Sequence, residues 1–239
     1  MTSDHAPRLP LVDDYHGTPV GDPYRWLEDP ATFPEGVATQ WRQWRQDWDR
    51  AQADRYQQEA AQWRRRDDFA GILANLLAGG YQGLPVWRGQ RQFFIRRDPG
   101  QQFGVLYTVD PDGTDRVLID PIELDPSGRT TLDGFQPSWQ GDKLAYLLSE
   151  GGTEESVLRV MDVATADVID GPIDRTRFSS VAWLPGGAAF YYVRRQDPAT
   201  LAPDEVQFHR RVRLHHLGAD PDTGAEIFGG GPRSGANEP

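Results

Sequence analysis

The sequence predicts a mainly β chain with an N-terminal helical segment, its β part assembled from repeated units of about four strands, like the blades of a propeller. Three observations lead there. After Gly80 the spacing of apolar residues shortens from the 3.6-residue period of a helix to the 2-residue period of a strand. The β-rich runs that follow are short and separated by turns rich in Pro, Asp and Gly. A pattern of tryptophan, glycine and a second aromatic recurs among them.

The elements follow in order. Leu9 to Pro34 carries Pro10, Pro19, Pro23, Pro30 and Pro34. Each lacks a backbone donor and restricts the residue before it, so an extended strap is expected rather than a helix. Its Tyr15, Tyr24, Trp26 and Leu27 prefer burial against another surface. From Val37 to about Arg66 a helix is expected, with Trp41, Trp44, Trp48, Tyr56 and Trp63 inside an arc of about 120° that Arg55 interrupts. Tryptophans at this spacing form a core face that needs a partner. A second helix should run from Asp67, as N-cap, to Leu77 and end at Gly79-Gly80.

Strands are then expected at Leu84–Trp87, Gln92–Arg96, Val105–Val109 and Arg116–Ile119. They continue at Lys143–Leu148, Val157–Val163, Ala188–Val193 and Val212–Leu217. Turns at Asp110-Pro-Asp-Gly113, Asp125-Pro-Ser-Gly128, Leu184-Pro-Gly-Gly187 and Asp220-Pro-Asp-Thr-Gly224 separate them. Trp87, Gly89 and Phe94 stand at relative positions 0, +2 and +7, as do Trp139, Gly141 and Tyr146. Trp183 is followed by Gly186, Gly187 and, at +7, Phe190. Spacings of 52 and 44 residues leave room for four short strands per repeat. The reading is mechanical: a strand ends in a turn at the glycine, and the aromatic opens the next strand onto the core between units.

Composition excludes several functions. With 36 acidic against 25 basic residues the net charge is −11, which argues against a nucleic-acid partner, since that would need a basic face. No apolar run approaches the ~20 residues of a membrane span, and Met1 to Pro10 lacks the pattern of a secretory signal. The chain has no cysteine, which removes disulfides and thiol catalysis. A soluble cytoplasmic protein without membrane partner, metal or cofactor is the expectation. His215 and His216, adjacent in a strand, point to opposite faces and cannot both ligate one metal unaided.

The strap carries a more specific signal. Asp14-Tyr15-His16-Gly17-Thr18, then Asp22-Pro23-Tyr24-Arg25-Trp26-Leu27-Glu28-Asp29, resembles the opening of the prolyl oligopeptidases, serine peptidases of the S9 class. Collinear matches follow at Val117-Leu-Ile-Asp-Pro121, Gly134-Phe135 through Ser138, Leu144-Ala-Tyr146, Gly151-Gly-Thr-Glu154, and Arg177-Phe178-Ser179 through Trp183. The similarity runs from about Leu9 to Phe228. It implies that residues 1–78 form a strap and helices packed on an α/β-hydrolase domain, with the tryptophan face as the docking surface. Residues 79–228 would form about the first three blades of a seven-bladed propeller. Residues 229–239 read as a low-complexity tail, expected to be disordered and resembling an out-of-frame stretch or a cut end.

The resemblance implies cleavage of short proline-containing peptides by the complete enzyme. Serine-type acyl transfer needs a nucleophile on a tight turn, a histidine base, an orienting carboxylate and oxyanion donors. The elbow Gly-x-Ser-x-Gly does not occur in these 239 residues. Ser127, Ser138, Ser179 and Ser180 sit in turn or strand contexts, and His5, His16, His209, His215 and His216 are read as structural or surface residues. No catalytic residue is therefore assigned, and the chain is expected to be inactive alone. One substrate-binding residue is implied by the resemblance: Phe178, projecting toward the non-prime side of a peptide. The residue's own context equally allows an ordinary core aromatic between blades. Glu154 or Glu155 matches an acidic position near the domain interface, or is a solvated loop carboxylate. Two further readings stay open: a non-catalytic propeller-type interaction module, and one half of a split peptidase whose hydrolase chain is separate.

Overall fold

The computed structural model describes residue 6 and residues 8–28 and 38–230, with backbone alone at 38–42 and 204. Asp29, Pro30, Pro34, the side chain of Trp41 and tail residues 231–239 lie outside the described residues. The chain forms two compact units that divide between Asn75 and Leu76.

In the first unit the strap folds back on itself. β1 (Val12–Tyr15) and β2 (Thr18–Gly21) pair as an antiparallel hairpin, turned at His16 and Gly17, both at positive φ as a two-residue hairpin loop requires. Arg25 forks onto Asp13 and Asp22 and ties the next turn, Arg25–Leu27, to the hairpin. Trp26 in that turn is completely buried. Its ring lies 4.8 Å from Trp44 of α1 (Ala38–Ala60), and Trp44 stacks on Trp48 at 6.1 Å. The strap's own tryptophan thus meets part of the expected tryptophan face.

The expected single helix to Arg66 is corrected. α1 ends at Ala60, the chain turns through Trp63, whose N–H reaches the Ala60 carbonyl at 3.2 Å, and Arg65 takes left-handed backbone. α2 (Arg66–Leu77) then starts one residue before the expected cap, with Asp67 and Asp68 in its first turn where the helix dipole favours them. Phe69, Ile72, Leu73, Leu76 and Leu77 recur at i, i+3, i+4, i+7 and i+8, the spacing of a core-facing stripe. All five are nonetheless 49–72% exposed.

The second unit holds three antiparallel sheets. β3 (Tyr81–Gln82) and β4 (Val86–Arg88) pair with the same edge of β5 (Arg91–Arg97). They are one strand interrupted at Pro85, which has no N–H for the ladder. β6 (Val105–Val109) and β7 (Asp115–Ile119) complete the first sheet. A short helix, α3 (Pro121–Leu124), leads to the second: β8 (Thr130–Pro137), β9 (Lys143–Glu150), β10 (Val157–Asp162) and β11 (Val168–Ile173). The third comprises β12 (Val181–Trp183), β13 (Ala189–Arg195), β14 (Arg210–His216) and β15 (Ala225–Phe228). Consecutive strands are neighbours throughout the second and third sheets, so the expected four strands per repeat are present.

Side-chain alternation sandwiches the second sheet between the other two. On β9, Leu144 and Tyr146 enter a core with Phe93, Leu106, Leu118 and Ile119 of the first sheet. The intervening Ala145 and Leu147 enter another with Trp183, Phe190 and Tyr192 of the third. The repeat now has a spatial meaning. Tyr146 points back toward the first sheet and Phe190 back toward the second. Phe94, at the same register, stacks on Tyr107 at 5.7 Å within a separate cluster on the other face of the first sheet. It does not enter the core between sheets. Tryptophans close the junction of the second and third sheets: Trp139 Nε1 donates to the Trp183 carbonyl at 3.0 Å, and Trp183 Nε1 to the Gln136 carbonyl at 2.9 Å.

Glycine is required where the turns of neighbouring sheets meet. Gly89 and Gly141 have φ of +56° and +73°, and a Cβ on Gly141 would stand 2.5 Å from the Arg88 carbonyl oxygen. A Cβ on Gly89 would strike the Gln140 carbonyl in turn. Polar ties reinforce the same junction. Arg91 donates to the Gly141 carbonyl at 3.3 Å and Arg116 to the Val163 carbonyl. Asp110 holds both arginines, at 2.7 and 2.6 Å, and the Arg116 bond above all keeps its carboxyl below the usual range.

Asp125 organises the turn from α3 into β8. It accepts from the Ser127 hydroxyl and N–H, the Arg129 N–H, and the Thr130 N–H and hydroxyl. These bonds, led by those of Ser127, lower its pKa to about 2. A depressed carboxyl stabilises the fold above the unfolded-chain value of about 3.9 and loses that contribution as pH falls toward about 2. A carboxyl-resolved NMR titration is expected to place its midpoint near 2. A midpoint near 4 would break the assignment of this turn.

Candidate functional site

Three loops converge at one end of the second and third sheets: residues 151–156, 174–180 and 196–209. Each carries a residue with left-handed backbone, Glu154 at φ 58°, Phe178 at 56° and His209 at 56°. Such φ values are uncommon outside glycine, and they persist where surrounding contacts hold them. Here the contacts are ionic. Arg177 pairs with Glu154 at 2.5 Å and reaches Gln207 at 3.5 Å, so one side chain links all three loops. Arg195 pairs with Glu155 and bonds Gln207 at 2.6 Å. Beneath them the buried Thr176 hydroxyl donates to the Ser156 carbonyl at 2.7 Å. Glu154 and Glu155, both exposed, thus tether these loops through their arginine pairs.

Phe178 stands on this base and is 66% exposed. It therefore does not pack into a core between the described sheets. Phe135, which precedes its tryptophan in the earlier repeat, packs against the core, whereas Phe178 does not. The guanidinium of Arg177 lies 4.9 Å from its ring centroid and that of Arg210 5.9 Å. Arg210 also donates to the Arg177 carbonyl at 2.7 Å, which fixes the strained turn from the β14 side. The result is an exposed aromatic ring held between two cations. Sequence reasoning missed Arg210; the only signal was the His-Arg-Arg-Val-Arg run of β14, which has no motif spacing.

The remaining candidates are structural. Ser127 donates to Asp125 and Ser138 to Asp142, while Ser179 receives the Val193 N–H. His215 is buried against Asp170 and His216 is exposed, on opposite faces as expected. Among the described residues no group of three or more His, Asp or Glu side chains could hold a metal ion. No described helix is long and apolar enough to cross a membrane.

Comparison with known proteins places these features in context. Residues 5–234 match the family model described as "Prolyl oligopeptidase, N-terminal beta-propeller domain". The prolyl endopeptidase of Elizabethkingia meningoseptica is 29% identical over 221 residues, which cover 92% of this chain and 30% of that protein. A solved structure from a study of two prolyl endopeptidases and their inter-domain dynamics superimposes with a TM-score of 0.77 at 28% identity, covering 93% of this chain and 32% of that one. Prolyl oligopeptidase B of Galerina marginata, bound to a 35-residue hydrolysis and macrocyclization substrate, gives 0.71 at 20% identity, a likeness of fold alone. The chain thus spans about a third of the length of the relatives it matches.

Proposed function

Because the chain belongs to the prolyl oligopeptidase family, whose N-terminal β-propeller domain it carries, we propose that it forms the propeller segment of a serine endopeptidase acting on short proline-containing peptides. The observation that carries this reading is the exposed Phe178, held by three tethered loops and flanked by Arg177 and Arg210. An immobilised ring loses little entropy when a peptide side chain stacks on it. Phe178 is thus assigned to the residues N-terminal to the scissile bond. Bond cleavage itself is assigned to an α/β-hydrolase segment outside these 239 residues, since no Gly-x-Ser-x-Gly elbow occurs within them. The uncovered stripe Phe69, Ile72, Leu73, Leu76 and Leu77 of α2 supplies a surface for that segment, as large exposed apolar patches mark interaction sites. The cysteine-free sequence makes the cytoplasm the proposed setting.

The test is complementation. The 239-residue chain is mixed with the Elizabethkingia meningoseptica prolyl endopeptidase lacking its matching portion, and a chromogenic proline peptide is the substrate. Neither piece alone is expected to turn over; together they are. Phe178→Ala should lower kcat/KM roughly tenfold, mainly through KM, the loss of about 1.4 kcal/mol of binding. Leu73→Ser with Leu76→Ser should weaken assembly at least a hundredfold, since truncating a buried leucine costs about 2–5 kcal/mol. Turnover by the 239-residue chain alone, with covalent labelling of one of its serines, would overturn the proposal.

A further inference from the structure

Over β13 and β14 the third sheet carries a cleft of about 360 Å³ that borders the loops of the Phe178 site but is not lined by Phe178 itself. Its charge is unexpected in a chain of net charge −11. Arg175, Arg194, Arg195, Arg211 and Arg213 line it, against Asp197, Asp222 and Glu226. The acids are largely committed elsewhere. Asp222 pairs with Arg194 at 2.7 Å and Arg175 at 3.0 Å, and Asp197 accepts the Ala199 N–H at 2.9 Å to cap its own turn. Arg194 is also held by Asp174, and Arg195 by Glu155.

Arg211 and Arg213 differ. Two residues apart on β14, they share one face of the strand. Arg211 donates to the Arg210 carbonyl at 3.1 Å, and Arg213 to the Asp222 and Gly224 carbonyls at 3.3 and 2.9 Å. Among the described residues neither joins an ion pair, and the Nε–H of each is buried with no acceptor, as is that of Arg195. Glu226 stands opposite Arg213 across the β14–β15 ladder, and no described ion pair includes it. Two guanidiniums thus line the cleft outside any described ion pair, each with its Nε–H already withdrawn from water. Planar guanidinium forks match the geometry of carboxylate and phosphate oxygens, and a positively lined cleft with low-dielectric walls concentrates anions. The volume suits a small organic molecule better than a single monatomic ion.

We propose that this cleft binds a small polyanion carrying two or more phosphate or carboxylate groups, with Arg211 and Arg213 as its anchoring forks. The site lies within residues 174–226 and does not depend on the peptidase reading. Calorimetric titrations of the full chain with pyrophosphate and with citrate, at ionic strength held constant with sodium chloride, separate the two chemistries. Saturable binding of at least one is expected, and Arg211→Gln with Arg213→Gln should weaken it at least tenfold. Arg88→Gln with Arg97→Gln, on the first sheet, should leave it unchanged. Hydrogen exchange on the wild-type chain serves should the double variant fail to fold: the bound anion should protect amides within 194–197 and 210–226. Saturation by neither anion, equal affinity in the double variant, or protection elsewhere would each overturn the site.

Discussion

Gly141→Val is expected to destabilise the second unit by about 2–5 kcal/mol, against a typical domain stability of about 5–15 kcal/mol. Two terms combine. An L-residue held at φ +73° costs about 1–2 kcal/mol, and forcing side-chain atoms against the Arg88 carbonyl adds about 1–3 kcal/mol of overpacking. The obstacle is backbone, so no rotamer change relieves it. Gly113 provides the control, because its φ is +86° and nothing lies within 4 Å of a built Cβ. Gly113→Val should show the torsional term alone. Urea unfolding followed by far-ultraviolet circular dichroism measures both, and equal losses in the two variants would refute the claim that the first and second sheets meet at this turn.

Asp170→Ala is expected to cost about 1–3 kcal/mol, the range for leaving a buried donor without its acceptor. Asp170 on β11 receives the Gly171 N–H at 2.6 Å and the Gly218 N–H at 2.9 Å, and pairs with His215 Nε2 at 2.9 Å. The carboxylate can only accept, so Nε2 carries the proton. His215 is 1% exposed, is packed by Phe190 and Tyr192, and its Nδ1 already lacks a partner. Without Asp170 the whole imidazole is stranded in the interior. The same substitution in a His215→Phe background should cost at least 1 kcal/mol less, because residues in direct contact are not additive. Strictly additive losses would show that the two residues act separately.

Some of this molecule is legible in its sequence and some is not, for identifiable reasons. The turns from Asp110 to Gly113, Asp125 to Gly128 and Leu184 to Gly187 close as their residues require, each through the final glycine N–H and the first carbonyl. The strand Val105–Val109 lies where its apolar run placed it. β8 and β11 are missing from the expected strands; Gly134 and Pro137 interrupt the first and Gly171 and Pro172 the second. Both are edge strands of their sheet, where a missing donor breaks no ladder. The break between α1 and α2 falls at Trp63-Arg-Arg-Arg66, without Gly or Pro, and is set by the single left-handed residue Arg65. Trp87, at the centre of the short strand β4, and Trp139, in the turn after β8, are each 58% exposed. For Phe178 the resemblance implied a projecting ring while the residue's own context equally allowed a core aromatic, so its exposure was not legible from local pattern. Exposure depends on loops far apart in sequence, which no local pattern encodes. The arginines of β14 were illegible altogether, because arginine dominates the basic residues throughout the chain.

The backward-pointing aromatics give the second unit a direction in time. Tyr146 and Phe190 lie on the second strand of their sheets, and each covers the sheet made before it. On a ribosome, where domains emerge from the N-terminus onward, each sheet would be capped once the leading strands of its successor had appeared. Nothing synthesised later is needed to finish that junction. Chains ending at residue 173 and released from the ribosome should accordingly already protect the first junction, from β4 to β10, against protease. Equal digestion of those chains and of released chains ending at residue 137 would rule out this vectorial order.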